Sequence, residues 1–434
     1  MKKNYYIYKK IKVMTNMNLL KKFNDKWGSL AKFIPDYEER YSSLTNRERD
    51  YFDLMLPQSG VLYLKSHPGL GKSATVKSIA DKMGMNFFDI RLTLVDETDV
   101  GLYPDVQKVK NSEGEDLNVL VHITPMWSHR SNEAPSIILF DELNRSRLEV
   151  RNASLQLLLE RAIGTEFKFN NMVFMCACGN LGDEDGTDVD ELDAALNNRL
   201  IHRIHENPFD EWYEAFAKDN VVPEVNKYLT KNKHKLFVPP NFEDGSNEDA
   251  YPTNRSWTFL SDQILYNGYD SVGGELVPNK DKILKIVSDK GSSFIGSEFI
   301  NFLSYLKDMY AVSLEDILDR FEEVEDKLDN WVKGGGVDSF NRIIHELQRF
   351  NYGEVDEKRS HNIIKFMDKC NDELIVTYID FLMGAEGIET DPDNGAHPLA
   401  GLIFKNYREV INKVIDSLGG SDEEGGKTEV TLSK

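Results

Sequence analysis

Lys72 and Ser73 close the stretch Ser66-His-Pro-Gly-Leu-Gly-Lys-Ser73, which follows an apolar run (Val61, Leu62, Tyr63, Leu64) and precedes apolar residues at helical spacing (Val76, Ile79, Ala80, Met83). A strand, a glycine-rich turn and a helix in that order make a cradle for phosphate. Backbone N–H groups of the turn and the positive end of the helix dipole converge on one point, Lys72 can reach the β- and γ-phosphates, and the Ser73 hydroxyl suits Mg²⁺. Pro68, Gly69, Leu70, Gly71, Lys72, Ser73 and Ala74 are the residues expected to hold a nucleoside triphosphate. Such a loop usually opens on glycine. Here Ser66 stands in that place, so a residue with a Cβ and fewer free dihedrals makes the first turn.

A phosphate cradle predicts a second signature, and Ser136-Ile-Ile-Leu-Phe-Asp-Glu142 supplies it. A strand buried on both faces of a parallel sheet is apolar almost throughout, so two acids at its C-terminal end sit at the mouth of the site. Asp141 is expected to hold Mg²⁺ together with Ser73, and Glu142 to polarise the attacking water. Asn180 stands at the end of a later apolar strand, where its amide can hold the lytic water or touch the γ-phosphate; asparagine is also an ordinary turn former. The acidic run Gly182 to Glu191 lacks the spacing of an EF-hand and reads as a solvated loop.

These residues need elements to carry them. Asn86 to Leu94 reads as a second strand, and Asp96 to Glu133 as a polar excursion, a small hairpin or helical insertion. Arg151 to Ile163 has helical spacing, Phe167 to Gly179 holds a short strand, a turn at Asn170-Asn171 and a long buried strand, and Leu192 to Leu200 is a helix that ends at Arg199. Before the cradle, residues 18 to 56 carry Leu20, Phe23, Trp27, Leu30 and Phe33 on one helical face. After residue 310 the pattern is helical: 317 to 332, an interruption at Gly334-Gly-Gly336, then 340 to 350, 361 to 382 and 399 to 418.

The bulk composition narrows the possibilities. At 434 residues and 40% hydrophobic content the chain can build two or three domains with real cores. No run approaches the roughly 20 apolar residues of a membrane span, and the basic start lacks the uninterrupted apolar stretch of a secretory signal, which points to the cytoplasm. Three cysteines form neither a disulfide framework nor a zinc set. A net charge of −21 argues against wrapping nucleic acid non-specifically.

With the cradle, Asp141-Glu142, Asn180 and Arg199 in this order, the chain resembles the AAA+ ATPases, and within them the MoxR-like group. Asp141-Glu-Leu-Asn-Arg145 is similar to that group's extension of the acidic strand end, and Leu192 to Leu200 to its arginine-finger helix. The resemblance implies Asn180 as sensor 1, Arg199 as a finger reaching a neighbouring subunit's γ-phosphate, and a homo-oligomer, expected to be a hexameric ring. Tyr251-Pro-Thr-Asn-Arg-Ser-Trp257 resembles the sensor-2 motif with Asn254 in place of proline, which makes Arg255 a nucleotide contact in cis.

The expected architecture is an α/β P-loop core with a parallel sheet, followed by a helical lid and a helical C-terminal extension. Its bounds are a helical lead-in at 1–56, the core at 57–208, the lid at 209–310, the extension at 311–418 and a disordered acidic tail at 419–434. The expected function is ATP hydrolysis with Mg²⁺ at subunit interfaces, driving a chaperone-like remodelling or assembly of a protein client. The resemblance also makes a partner with a von Willebrand factor A domain plausible. Two other readings stand beside it: a nucleic-acid translocase or restriction-type motor, and a nucleotide-dependent switch with little turnover.

Overall fold

The computed structural model describes residues 33–56, 60–164, 167–182, 185–192, 194–239, 250–350, 355–384, 399, 402–403 and 406–407. Residues 18–32 of the expected helical lead-in, nearly all of the helix expected over 399–418 and the expected disordered tail lie outside them. The chain divides into two compact units, Met1–Val221 with Asn232–Asp262 and Ser293–Gly296, and Val222–Lys231 with Gln263–Ser292 and Ser297–Lys434.

The first unit opens with helices α1 (Tyr37–Ser43) and α2 (Asn46–Leu54), then β1 (Val61–Lys65), α3 (Lys72–Met83) and β2 (Asn86–Arg91). The polar excursion is an antiparallel hairpin, β3 (Tyr103–Lys110) with β4 (Asp116–Ile123), followed by α4 (Met126–Glu133). Next come β5 (Ser136–Asp141), α5 (Leu148–Glu160), the short pair β6 (Ala162–Ile163) and β7 (Phe167–Lys168), β8 (Val173–Gly179), α6 (Ala194–Asn197), β9 (Leu200–Ile204) and α7 (Phe209–Trp212). Five strands form one parallel sheet in the order β2-β5-β8-β1-β9.

Side chains alternate across this sheet and are buried on both sides. Leu62, Leu64, Ile137, Leu139, Phe174, Cys176 and Cys178 pack with Phe52 of α2 and with Val76, Ile79 and Met83 of α3. Their neighbours Val61, Tyr63, Ile138, Phe140, Met175 and Ala177 pack with Val150, Leu157 and Leu158 of α5 on the other face. Each fully buried valine, leucine, isoleucine, phenylalanine or methionine among them is worth about 1.5–3 kcal/mol. Because every strand runs the same way, all the C-terminal ends meet at one edge, where ligands bind in open α/β sheets.

Three boundaries differ from the sequence reading. β2 stops at Arg91 rather than Leu94, where the Leu94 N–H turns back to the Arg91 carbonyl. α5 spans Leu148–Glu160 instead of 151–163, because Arg161 ends it in the left-handed region (φ 56°) and sends Ala162 into a strand. The helix expected over 192–200 contracts to Ala194–Asn197.

The second unit contains α8 (Pro223–Lys231), the end of α9 (Asn254–Gly268, in the first unit as far as Asp262), and a hairpin of β10 (Tyr269–Val272) and β11 (Glu275–Pro278). This hairpin falls where only helix was expected. Its two-residue turn, Gly273-Gly274, has both φ angles positive (61° and 89°), as a tight hairpin needs. Helices α10 (Lys280–Lys290), α11 (Phe299–Met309), α12 (Leu314–Asp319), α13 (Phe321–Gly334), α14 (Val337–Gln348), α15 (Glu357–Met367) and α16 (Asp372–Gly384) complete it. The single helix expected over 361–382 is thus two. Asn371 breaks it, its side chain accepting the Leu374 N–H at the start of α16 (3.0 Å). Gly335 ends α13 in the left-handed region, at the expected interruption.

Candidate nucleotide site

Between β1 and α3 the chain makes the cradle. Gly69 has φ 82° and lies so close to the start of α9 that a Cβ there would stand 2.7 Å from the Thr253 hydroxyl. The Gly69 carbonyl accepts the Arg255 N–H at 3.1 Å, which turns that carbonyl toward α9. Lys72 is buried, and its ammonium donates to the Ser66 carbonyl (3.1 Å), the Ser66 hydroxyl (3.0 Å), the Asn180 side-chain oxygen (3.2 Å) and the His67 carbonyl (3.4 Å). Burial lowers its pKa, against the opposing pull of Asp141 and other nearby groups. The serine that replaces the usual glycine therefore adds a side-chain acceptor for this lysine.

β5 is buried at every position and delivers Asp141 to the sheet edge. The Ser73 hydroxyl donates to Asp141 Oδ2 at 2.6 Å, which joins the two residues expected to hold Mg²⁺. Glu142 follows in the left-handed region (φ 59°), a conformation that costs a residue with a Cβ about 1–2 kcal/mol. Its carboxylate accepts the Thr93 hydroxyl at 2.6 Å and lies 3.9 Å from the Arg145 guanidinium. Asn180 is held by Asn144, which donates to the Asn180 carbonyl (2.8 Å) and accepts the Asn180 N–H (3.1 Å). This pair leaves the Asn180 side chain free to face Lys72.

A cavity of about 920 Å³ opens over these groups within the first unit. Pro68, Gly69, Gly71, Lys72, Ser73, Ala74, Asp141, Glu142, Asn180 and Arg255 all line it, and Trp212, Phe216 and Phe259 add aromatic surface to its wall. Leu70 does not line it, since its side chain is buried beneath the loop. Arg199 is not a lining residue either. It is exposed between α6 and β9, and of the two acids that could pair with it on its own surface, Glu191 forms no ion pair with it among the described residues and Asp193 lies outside them.

The loop expected to be solvated is largely so, with Gly186, Asp188, Asp190 and Glu191 exposed, but one of its acids turns inward. Asp185 is buried, accepting the N–H groups of Leu181, Gly182 and Thr187, while Gly186, Thr187 and Asp188 reach the cavity wall. Thr93 and Asn144 were not expected to serve the site. Asn144 lies in the stretch Asp141 to Arg145, two residues after Glu142, which is a local signal for a place at the site; Thr93 carries no local signal, since only strand pairing brings it to Glu142.

Serine and aspartate oxygens are hard donors of the kind Mg²⁺ takes. Among the described residues no three His, Cys, Asp or Glu side chains group as a metal site of their own. No helix among the described residues is long and apolar enough to cross a membrane.

Residues 62–207 match the family model described as ATPase family associated with various cellular activities (AAA). No curated protein matches the chain significantly. Among solved structures, a candidate ATPase from Cytophaga hutchinsonii is similar at 15% identity and a TM-score of 0.29, covering 66% of this chain and 88% of that one. The Holliday junction branch migration motor RuvB of Thermotoga maritima is similar at 14% identity and a TM-score of 0.33, covering 64% and 77%. Both likenesses are too distant to bear on function. The family match falls on the residues that build the cradle and the acidic strand end: 62–207 are an AAA ATPase domain, and the chain that carries them is an ATP hydrolase.

Proposed function

We propose that the chain is a ring ATPase of MoxR type that binds ATP with Mg²⁺ in the cavity of the first unit and uses hydrolysis to remodel or assemble a protein client. The observation that carries this reading is the convergence of Lys72, Ser73, Asp141, Glu142 and Asn180 on one cavity at the sheet edge. In it, Lys72 turns from Ser66 toward the β- and γ-phosphates. Ser73 and Asp141 would hold Mg²⁺, which supplies charge neutralisation on the phosphates. Glu142 polarises the attacking water, and Asn180, fixed by Asn144, orients it. Arg255 contacts the phosphates from the start of α9.

The exposure of Arg199 outside its own cavity supports a role in a neighbour's site, where such a finger is worth about 10³–10⁵ in rate. In the same reading residues 57–208 are the ATPase core, 209–310 a lid and 311–418 the extension that meets the client, with a von Willebrand factor A domain as one partner. A cytoplasmic location, where ATP and Mg²⁺ are at hand, goes with it.

One observation favours the alternative of a switch with little turnover: Thr93 and Arg145 both engage the Glu142 carboxylate. Steady-state phosphate release with oligomer mass recorded on the same samples decides between them. Turnover that climbs with assembly supports the shared site, and ATP-dependent assembly without turnover, client present or absent, supports the switch.

A further inference from the structure

His205 follows β9 immediately, and its N–H continues the β1–β9 ladder one step to the Lys65 carbonyl (2.7 Å). The side chain is fully buried. Its Nε2 lies 3.1 Å from the Leu70 carbonyl, inside the cradle, and its Nδ1 lies 3.2 Å from the Tyr51 hydroxyl of α2. A carbonyl only accepts, so Nε2 carries the proton and Nδ1 accepts from the phenol. Burial, with Arg47 nearby, lowers the imidazole's pKa to about 4, and burial also raises the Tyr51 phenol to about 12. At neutral pH the chain of donors therefore runs one way, from Tyr51 through His205 to Leu70.

A trans peptide carries its N–H opposite its C=O. The Leu70 carbonyl points into the protein, so the Gly71 N–H of the same peptide points to the other side, where Gly71 lines the cavity. The preceding carbonyl, of Gly69, is tied to the Arg255 N–H in the same manner. Two consecutive peptides are thus clamped from outside. A buried imidazole and phenol are a costly way to fill space that leucine and phenylalanine would fill, and what the polar pair adds is this one hydrogen bond to the loop.

We propose that His205, held by Tyr51, is a positioning residue for nucleotide binding: its imidazole fixes the Leu70–Gly71 peptide with the Gly71 N–H turned to the phosphates, coupling α2 to nucleotide affinity. This rests on the reading of the Lys72 loop as the ATP site. The full-length protein and its Lys72→Ala, Tyr51→Phe, His205→Leu and His205→Gln variants would be titrated with a fluorescent ATP analogue and Mg²⁺. Phosphate release (kcat and KM) and melting without nucleotide would be recorded alongside.

Tyr51→Phe and His205→Leu should weaken nucleotide binding about tenfold, the scale of one buried hydrogen bond, with kcat at saturation within about threefold. His205→Gln, whose amide N–H can reach the Leu70 carbonyl, should bind within about threefold of the parent. A purely structural role would lower the melting temperature and leave affinity and KM alone, and that result overturns the proposal. Should His205→Leu not fold, Tyr51→Phe decides: parental affinity there overturns the relay. Lys72→Ala separates the two readings. If it abolishes binding while folded His205→Leu binds like the parent, only the proposal falls; if it binds like the parent, the site reading falls as well.

Discussion

At the scale of single residues, Glu142 combines a left-handed backbone with a carboxylate held by Thr93. Strain of this kind persists only where surrounding contacts over-determine it, and it clusters at functional sites. Glu142→Gln keeps the shape and removes the base, so bound ATP should remain while phosphate release falls at least about 100-fold. Equal turnover in parent and variant would remove Glu142 from the chemistry. Thr93→Val tests the hold on the carboxylate. If the hydroxyl parks Glu142 away from water, basal turnover should rise about fivefold, the worth of a hydrogen bond near 1 kcal/mol; a fall in turnover would mean that Thr93 instead aims the carboxylate productively.

Among the elements, α2 bears on the site more than its place before the core suggests. A capping box opens it: Thr45 accepts the Glu48 N–H and Glu48 accepts the Thr45 N–H. The same Glu48 carboxylate accepts from Lys82 (2.8 Å) and Ser78 (2.8 Å) of α3. Burial alone would raise its pKa, but the Lys82 ammonium, the Thr45 N–H and the Ser78 hydroxyl outweigh it and the pKa is lowered. A carboxylate held below its unfolded value contributes stability that is present above that value and is lost as pH falls through the folded one. Glu48→Gln should therefore melt lower than the parent at pH 7, and the gap should narrow as pH drops below the usual glutamate range. A gap that stays constant into acid would assign the loss to packing.

At the scale of the molecule, the open question is whether one chain holds a whole site. Arg199 is exposed and outside its own cavity. If it completes a neighbour's site, Arg199→Ala should lose about 10³-fold in turnover, and mixing it with the inactive Lys72→Ala chain should restore part of the rate. Mixed assemblies that form and stay inactive at every ratio would place the catalytic arginine elsewhere. Turnover per chain should also climb with protein concentration through the assembly range.

Much of this was legible in the amino-acid order. The cradle, the acids ending β5 and the two-faced burial of the parallel strands rest on local rules: where glycine is needed, which strands are apolar throughout, which residue follows them. The order of β2, β5, β8, β1 and β9 was not legible, nor were the contacts it creates. Asn144 meets Asn180, Thr93 meets Glu142, and Tyr51 reaches Leu70 through His205, each across a separation that no periodicity encodes. The split of the 361–382 helix at Asn371 and the hairpin at Gly273-Gly274 had local signals, yet helical spacing on either side masked them. Local chain chemistry determined which groups carry the reaction, because phosphate and metal recognition need particular atoms at short range. Tertiary structure alone decided which groups hold those atoms still, because any buried donor at the right distance can do that work from anywhere in the chain.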